Sequence, residues 1–297
     1  MGFLEIFVTS LGGTATAVAI LGYLGRGLLD NRLKKDFEDH KLLMNEALSI
    51  KATVNRYSRV VMIAAEDIQD RLWHLCERQA TSKNKVLEAQ EDSKPMYGSW
   101  PMTKQHYLLG TMYLISRYLC WVEILKERVR FLEFNDDEKT KLFYYHLKRI
   151  ERMLADTSLH DYSENRISTD KPVFQLMQSE IGQYLIKENG GELSCIGFPE
   201  FKKNYNKLKE SSDAISRLEE LLYGSMSSAK SNFCLTRLKL LGNSLMDLVK
   251  FLHEHNQLEE AEGLERLTIQ DFNIDKYHEK WPVTPNKAMQ LTAFGGG

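Results

Sequence analysis

Lys104 to Phe134 reads KQHYLLGTMYLISRYLCWVEILKERVRFLEF. Leu108, Met112, Ile115, Leu119, Val122, Val129 and Leu132 recur at three- and four-residue steps and make one helical face. Tyr107, Tyr118, Trp121 and Leu125 make a second. A helix apolar on two faces belongs at the centre of a bundle, where both faces meet other helices. A membrane span is the rival reading. The apolar part, Tyr107 to Val122, is short for that and holds Arg117, with Glu123 and Lys126 following. A guanidinium in so apolar a helix calls for a carboxylate partner. Glu66 and Glu180, on neighbouring helices, are the expected donors of that charge, with Glu123 and Glu127 further along the same helix.

Outward from this helix, other segments repeat the period. Arg59 to about Gln79 carries Val61, Ala64, Ala65, Ile68, Leu72, Leu75 and Cys76 on one stripe. Asp136-Asp137 opens a helix to about Ala155, with aspartates suited to its N-terminus. Leu142, Phe143, Leu147, Ile150 and Leu154 form its apolar face. Pro172 fits the first position of a helix through Lys187, which Asn189-Gly190-Gly191 stops. Pro199 starts another, carrying Phe201, Tyr205, Leu208, Ile215, Leu218 and Leu222. Ser231 to about His255 carries Leu235, Leu238, Leu241, Leu245, Leu248 and Leu252. The polar stretches Thr81 to Met102 and Asp156 to Lys171 read as loops. Two-residue alternation is absent, so the expected fold class is all-α.

The N-terminal part has a different character. Ile6 to Gly25, IFVTSLGGTATAVAILGYLG, holds no charged side chain. Such a length suffices for a helix to cross the roughly 30 Å hydrocarbon core of a bilayer. Its threonine and serine hydroxyls can bond to carbonyls of the same helix, which makes them tolerable in lipid. A secretory signal would open with a basic region, and Met1 to Glu5 has no Lys or Arg. Arg26, Arg32, Lys34 and Lys35 follow the span, and basic residues beside a span stay cytoplasmic. The expected topology is a bacterial inner-membrane protein with its N-terminus outside and its C-terminal domain inside. Gly12 and Thr16, Gly13 and Ala17, Ala15 and Ala19 have the spacing that lets two membrane helices approach closely, so a homo-oligomer is expected to use this face. Leu29, Leu33, Phe37, Met44 and Leu48 continue at helical spacing as a stalk, with His40 filling a gap. The expected organisation is a short N-terminus (1–5), a transmembrane helix (6–27) in contact with the lipid bilayer, a stalk helix (28–58), a cytoplasmic multi-helix bundle (59–281) and a disordered tail (282–297). Two prolines and three terminal glycines carry the reading of the tail.

Composition narrows the chemistry. The chain has 39 basic and 41 acidic residues and no basic block, so no nucleic-acid partner is expected. Cys76, Cys120, Cys195 and Cys234 lie far apart and make no Cys-x-x-Cys. Three sit among apolar helical residues and read as small core residues in a reducing compartment. There is no glycine-rich phosphate loop and no Gly-x-Ser-x-Gly elbow. His253-Glu254 and His278-Glu279 lack the second histidine of a helical zinc site. No cofactor or metal is therefore expected.

Asp67, Asp70 and His74 form the candidate catalytic set. At i, i+3 and i+7 they share a helix face and could offer a metal two carboxylates and an imidazole. The plainer account is surface pairing, Asp67 with Arg71 and Asp70 with His74. His253 and His255 flank Glu254 near a helix end, where the dipole favours an imidazolium.

Three phrases carry a resemblance. AAEDIQDRLWHL (64–75), YLISRYLCWVEILKERVRFLEF (113–134) and CIGFPEF (195–201) resemble phrases of a group of uncharacterised bacterial membrane-anchored helical proteins. The likeness runs from Ile6 to about Leu252. It implies a span, a charged helix and a helical domain, and it implies no activity. PNKAMQLTA (285–293) resembles the read-through peptide that ends many bacterial integron-cassette proteins. The function expected is an interaction or sensing module that binds a protein partner. A membrane-tethered enzyme or defence effector with a site around Asp67, Asp70 and His74 is the alternative, and a structural membrane scaffold is a third.

Overall fold

The computed structural model describes residues 56–78, 104–129, 138–163, 170–225, 232–256, 265–269 and 272–282, with scattered positions between 35 and 52. The chain divides into two units, Met1–Ala52 and Thr53–Gly297. In the first unit the described positions are helical, and Phe37, Leu42, Met44 and Leu48 are exposed. The span expected at 6–27, the loop 81–102, Asp136-Asp137 and the tail beyond Pro282 lie outside the described residues.

The second unit is a helical bundle, as the periodicity implies. Helix α1 covers 56–73, and its end widens into a π-turn at His74–Arg78. Then come α2 (Lys104–Val129), α3 (Glu138–Ala155), a 3-10 turn (Leu159–Tyr162) and α4 (Gln175–Tyr184). Strands β1 (Ile186–Asn189) and β2 (Glu192–Cys195) follow, then α5 (Phe198–Ser211), α6 (Asp213–Ser225), α7 (Phe233–Asn256) and α8 (Ile274–Lys280).

Helix α2 is the centre. It packs against α4, β2, α5 and α6. Met112, Ile115, Leu119 and Val122 of one stripe and Tyr118 and Leu125 of the other are all buried. Ile68 and Leu72 of α1 and Leu238, Leu241, Leu245 and Leu248 of α7 complete the same core. By length and composition Gln105–Arg128 could also cross a membrane, but 67% of that window is buried within the bundle. Its apolarity is used against other helices.

Three features depart from the sequence reading. First, the helix expected through Lys187 ends at Tyr184, and an antiparallel hairpin replaces its last turn and the following loop. Ile186 faces Cys195 and Asn189 faces Glu192. Gly190 and Gly191 have φ of 59° and 82°, the left-handed pair that a tight hairpin turn demands. Asn-Gly-Gly is thus a hairpin turn, not a helix stop. The strands show no alternation because the hairpin is largely exposed. Second, the helix expected over 201–222 is two. Ser212 is extended (φ −144°, ψ 118°) and separates α5 from α6. Its Oγ accepts from the Ala214 and Ile215 amides, which starts α6, and donates to Glu180 Oε1 at 2.7 Å. The apolar period survives the break because both helices cover one core. Third, the stretch between Asp156 and Lys171 is not only loop. Leu159 of its 3-10 turn is buried with Met153, Phe233, Leu240 and Tyr277 of α8 in a second, smaller core.

Helices α2 and α4 approach closely at Gly182. A Cβ there would lie 2.7 Å from the Leu119 carbonyl oxygen and 2.8 Å from Glu123 Cγ. Backbone cannot rotate away. Gly110, within α2, has nothing within 4 Å of the same position. Alanine gains up to about 1 kcal/mol over glycine inside a helix, whereas overpacking costs about 1–3 kcal/mol. Gly110→Ala is therefore expected to raise the melting temperature of the chain, and Gly182→Ala to lower it.

Candidate functional site

Successive residues on a helix point about 100° apart. Helix α1 uses this to send adjacent carboxylates to different neighbours. Asp67 accepts from Arg117 Nη1 of α2 at 2.8 Å. Glu66 Oε1 lies 2.7 Å from His253 Nε2 of α7. Arg117 thus has the carboxylate its helix calls for, but from Asp67. The carboxylates expected from sequence are otherwise engaged. Glu66 holds His253, Glu180 takes Ser212 and Tyr184, and Glu123 takes Lys126 and Ser179.

The candidate set divides accordingly. Asp67 turns to Arg117 and not to Arg71, whose guanidinium stacks 4.5 Å over the Tyr107 ring. Asp70 and His74 pair with each other at 3.6 Å. Among the described residues no group of three or more His, Cys, Asp or Glu side chains is placed to hold a metal ion. His253 keeps the arrangement of a carboxylate-oriented imidazole. A carboxylate can only accept, so the bond to Glu66 uses a proton on Nε2. His253 Nδ1 is buried and makes no hydrogen bond. Glu254 is exposed, and the side chain of His255 lies outside the described residues.

A second polar cluster had no sequence signature. Arg149 of α3 donates to Asp247 of α7 at 2.6 Å, and the two side chains are 4% and 5% exposed. Arg266 also pairs with Asp247. One turn before Arg149, His146 is buried with its ring centroid 5.1 Å from that of Phe251. Burial, and then the Arg149 guanidinium, push the His146 pKa down to about 4. Burial and Arg149 also lower His278 of α8, against the pull of Asp247 and Asp275. Two fixed positive charges thus share one carboxylate, and two imidazoles beside them are held towards the neutral form. Arg149 and Asp247 are 98 residues apart in sequence, so no local pattern joins them.

A third cluster joins α2 to α3. Lys126 Nζ reaches Glu151 at 2.5 Å and Glu123 at 2.8 Å, and Lys148 reaches Glu151 at 2.8 Å. Burial alone would raise the Glu151 pKa; Lys126 and Lys148 more than offset it and keep the carboxylate ionised. In chemical terms all three clusters tie helices together, and the histidines of the second make that tie respond to protons.

The exposure of each pair sets its worth. Arg117 and Asp67 are 24% and 43% exposed, so water screens them. Asp67→Asn should cost about 0.2–1 kcal/mol. Asp247→Asn strands a buried guanidinium and should cost on the order of 3–5 kcal/mol. Equilibrium unfolding of both variants checks the ranking.

His146 generates a pH dependence. Its folded pKa, about 4, lies below the ordinary 6.5, so the unfolded chain binds the proton more readily. Its neutral burial contributes stability in full above about pH 6.5, and that contribution falls as the pH drops from 6.5 towards 4. His146→Phe keeps a ring against Phe251 and removes the proton site. Its melting temperature should fall less than that of the parent chain across this window.

Comparison with protein families, with curated proteins and with solved structures gives no match to this chain, so its function must be argued from its own residues.

Proposed function

We propose that the protein is a single-pass membrane-anchored interaction module whose helical domain works in the cytoplasm. The charge-free run from Ile6 to Gly25 and the basic residues that follow it support the anchor and its orientation. The observation that carries the interaction reading is the apolar edge at the start of α4. Leu176 is 85% exposed and Phe174 46%, with Met177 half-buried beside them. Single exposed apolar residues are ordinary, but a Phe and a Leu two positions apart at one helix start form a local patch. Covering such a patch releases roughly 25 cal/mol for each Å² removed from water. Asp67 and Glu66 of α1, by contrast, are engaged with Arg117 and His253 of neighbouring helices. A tethered enzyme is the second reading. His253 oriented by Glu66 would carry it, and the enclosure of His253 Nδ1 favours the interaction reading instead.

Two measurements test the proposal. An alkaline phosphatase fusion at the C-terminus should be inactive, because that enzyme works only outside the cytoplasm. An active fusion would reverse the orientation. A photo-crosslinking amino acid at position 176 should trap a discrete protein adduct in cells, and one at exposed Glu188 of the hairpin should not. Loss of that adduct in Phe174→Glu, with a melting temperature shifted by about 0.5 kcal/mol or less in stability, is the expected result. No adduct at position 176 would remove this surface from the proposal.

A further inference from the structure

Helix α5 presents two different faces. Phe201 and Tyr205 are buried, with Leu208 half-buried against the same core. The opposite face carries Lys202, Lys203, Asn206 and Lys207, all exposed. At about 100° per residue these positions share roughly 140° of the helix surface. No carboxylate lies between Lys202 and Lys207 in sequence. Glu200, before them, is held by Lys187 at 3.5 Å, and Glu210 follows one turn after Lys207. Lysines elsewhere in the bundle are neutralised. Lys126, Lys148, Lys171, Lys187, Lys209 and Lys280 each meet a carboxylate. Among the described residues Lys202, Lys203 and Lys207 make no ion pair. Lys203 and Lys207 stand four apart, where like charges repel and weaken a helix. Folding thus gathers three unpaired ammonium groups on one face, and an anionic surface would relieve their repulsion.

We propose that this face of α5 lies on a bilayer surface that bears anionic phospholipid headgroups. The proposal rests on the membrane-anchor reading above, because a tether keeps the bilayer at high effective concentration beside the domain. Anionic headgroups attract basic residues held within a Debye length of the surface, by about fivefold in binding for each lysine. Three lysines then amount to roughly a hundredfold. Lysine suits this partner, since an ammonium is a point charge with three donors that a phosphate can meet from many directions. Nucleic acid fits the face less well. Single strands bind where bases can stack on exposed rings. Tyr205, the aromatic residue among these lysines, is turned into the core, and its hydroxyl donates to Glu219 at 2.5 Å. The whole chain has 39 basic and 41 acidic residues, so a local excess of this kind decides which face turns to the bilayer.

The test uses the full chain with vesicles of phosphatidylcholine, alone or mixed with phosphatidylglycerol. A membrane-impermeant acetylating ester modifies free lysines, and peptide mass spectrometry reads each position. Lys250, exposed on α7, is the reference within the same molecule. Phosphatidylglycerol should lower the reactivity of Lys202, Lys203 and Lys207 relative to Lys250 by about fivefold or more, and molar salt should restore it. In the Lys202→Gln, Lys203→Gln double variant, Lys207 should lose most of that protection. Equal relative reactivity in the two kinds of vesicle overturns the proposal, as does protection that survives salt or the double variant. Protection by added RNA, with none from phosphatidylglycerol, assigns the face to nucleic acid and overturns it too. Flotation separates this proposal from the anchor. A chain that floats with pure phosphatidylcholine but keeps these lysines reactive in phosphatidylglycerol has the anchor and not this contact. One that floats only with phosphatidylglycerol, and is released by salt, lacks the anchor and keeps the lysine face.

Discussion

A guanidinium with no exposed surface sits where α7 crosses the end of α3. Arg237 donates to the carbonyls of Met153 at 2.7 Å and Asp156 at 2.6 Å, and its Nε and Nη2 grip both oxygens of Asp170. The last carbonyls of a helix have no partner within it and carry its negative dipole end. Arg237 satisfies both needs of α3 while Asp170 supplies the opposing charge. A buried cation is tolerated only when its donors are met and its charge is paired. The end of α3, the chain entering α4, and α7 must therefore be placed together.

The same seam is pinned at a second level. Arg149 precedes Met153 by one helical turn on α3, and Asp247 lies further along α7 than Arg237. The order is that of antiparallel helices. Apolar packing alone would tolerate a slide of one helix past the other, whereas a buried ion pair and a buried guanidinium bonded to carbonyls at the end of α3 do not. The C-terminal segment hangs from this arrangement. Asp156 accepts from Tyr277 at 3.1 Å and Trp281 at 3.0 Å, and Arg152 stacks 4.6 Å from the Trp281 ring. The short α8, too small to be stable alone, is held by Asp156, the residue that follows α3.

The elements proposed to do work lie on the other side of the chain's logic, against α2. Helix α4 and the hairpin form one continuous stretch, and both pack on the central helix. The apolar edge begins that stretch and Cys195 ends its second strand. Gly182 sets how closely the segment can lie, because only a bare Cα fits against the Leu119 carbonyl.

Much of the bundle is legible in the sequence, because a buried helix face must repeat every three or four residues whatever it packs against. The two-faced pattern of Leu108 to Leu125 places α2 at the centre. The pairing of Asp70 with His74 is equally local and follows from their spacing. The need of Arg117 for a carboxylate is also legible; its identity is not, since Asp67 and Glu66 differ only by the rotation of α1 relative to its neighbours. The hairpin was hidden because strands of four residues, exposed or half-buried without alternation, carry no period, and Asn-Gly-Gly ends a helix as readily as it turns a hairpin. The break at Ser212 was hidden because both flanking helices face one core. The buried pair of Arg149 with Asp247 and the capping of α3 by Arg237 are tertiary facts. Each joins residues from distant parts of the chain, and nothing in either local sequence records the charge or carbonyl that folding brings beside it.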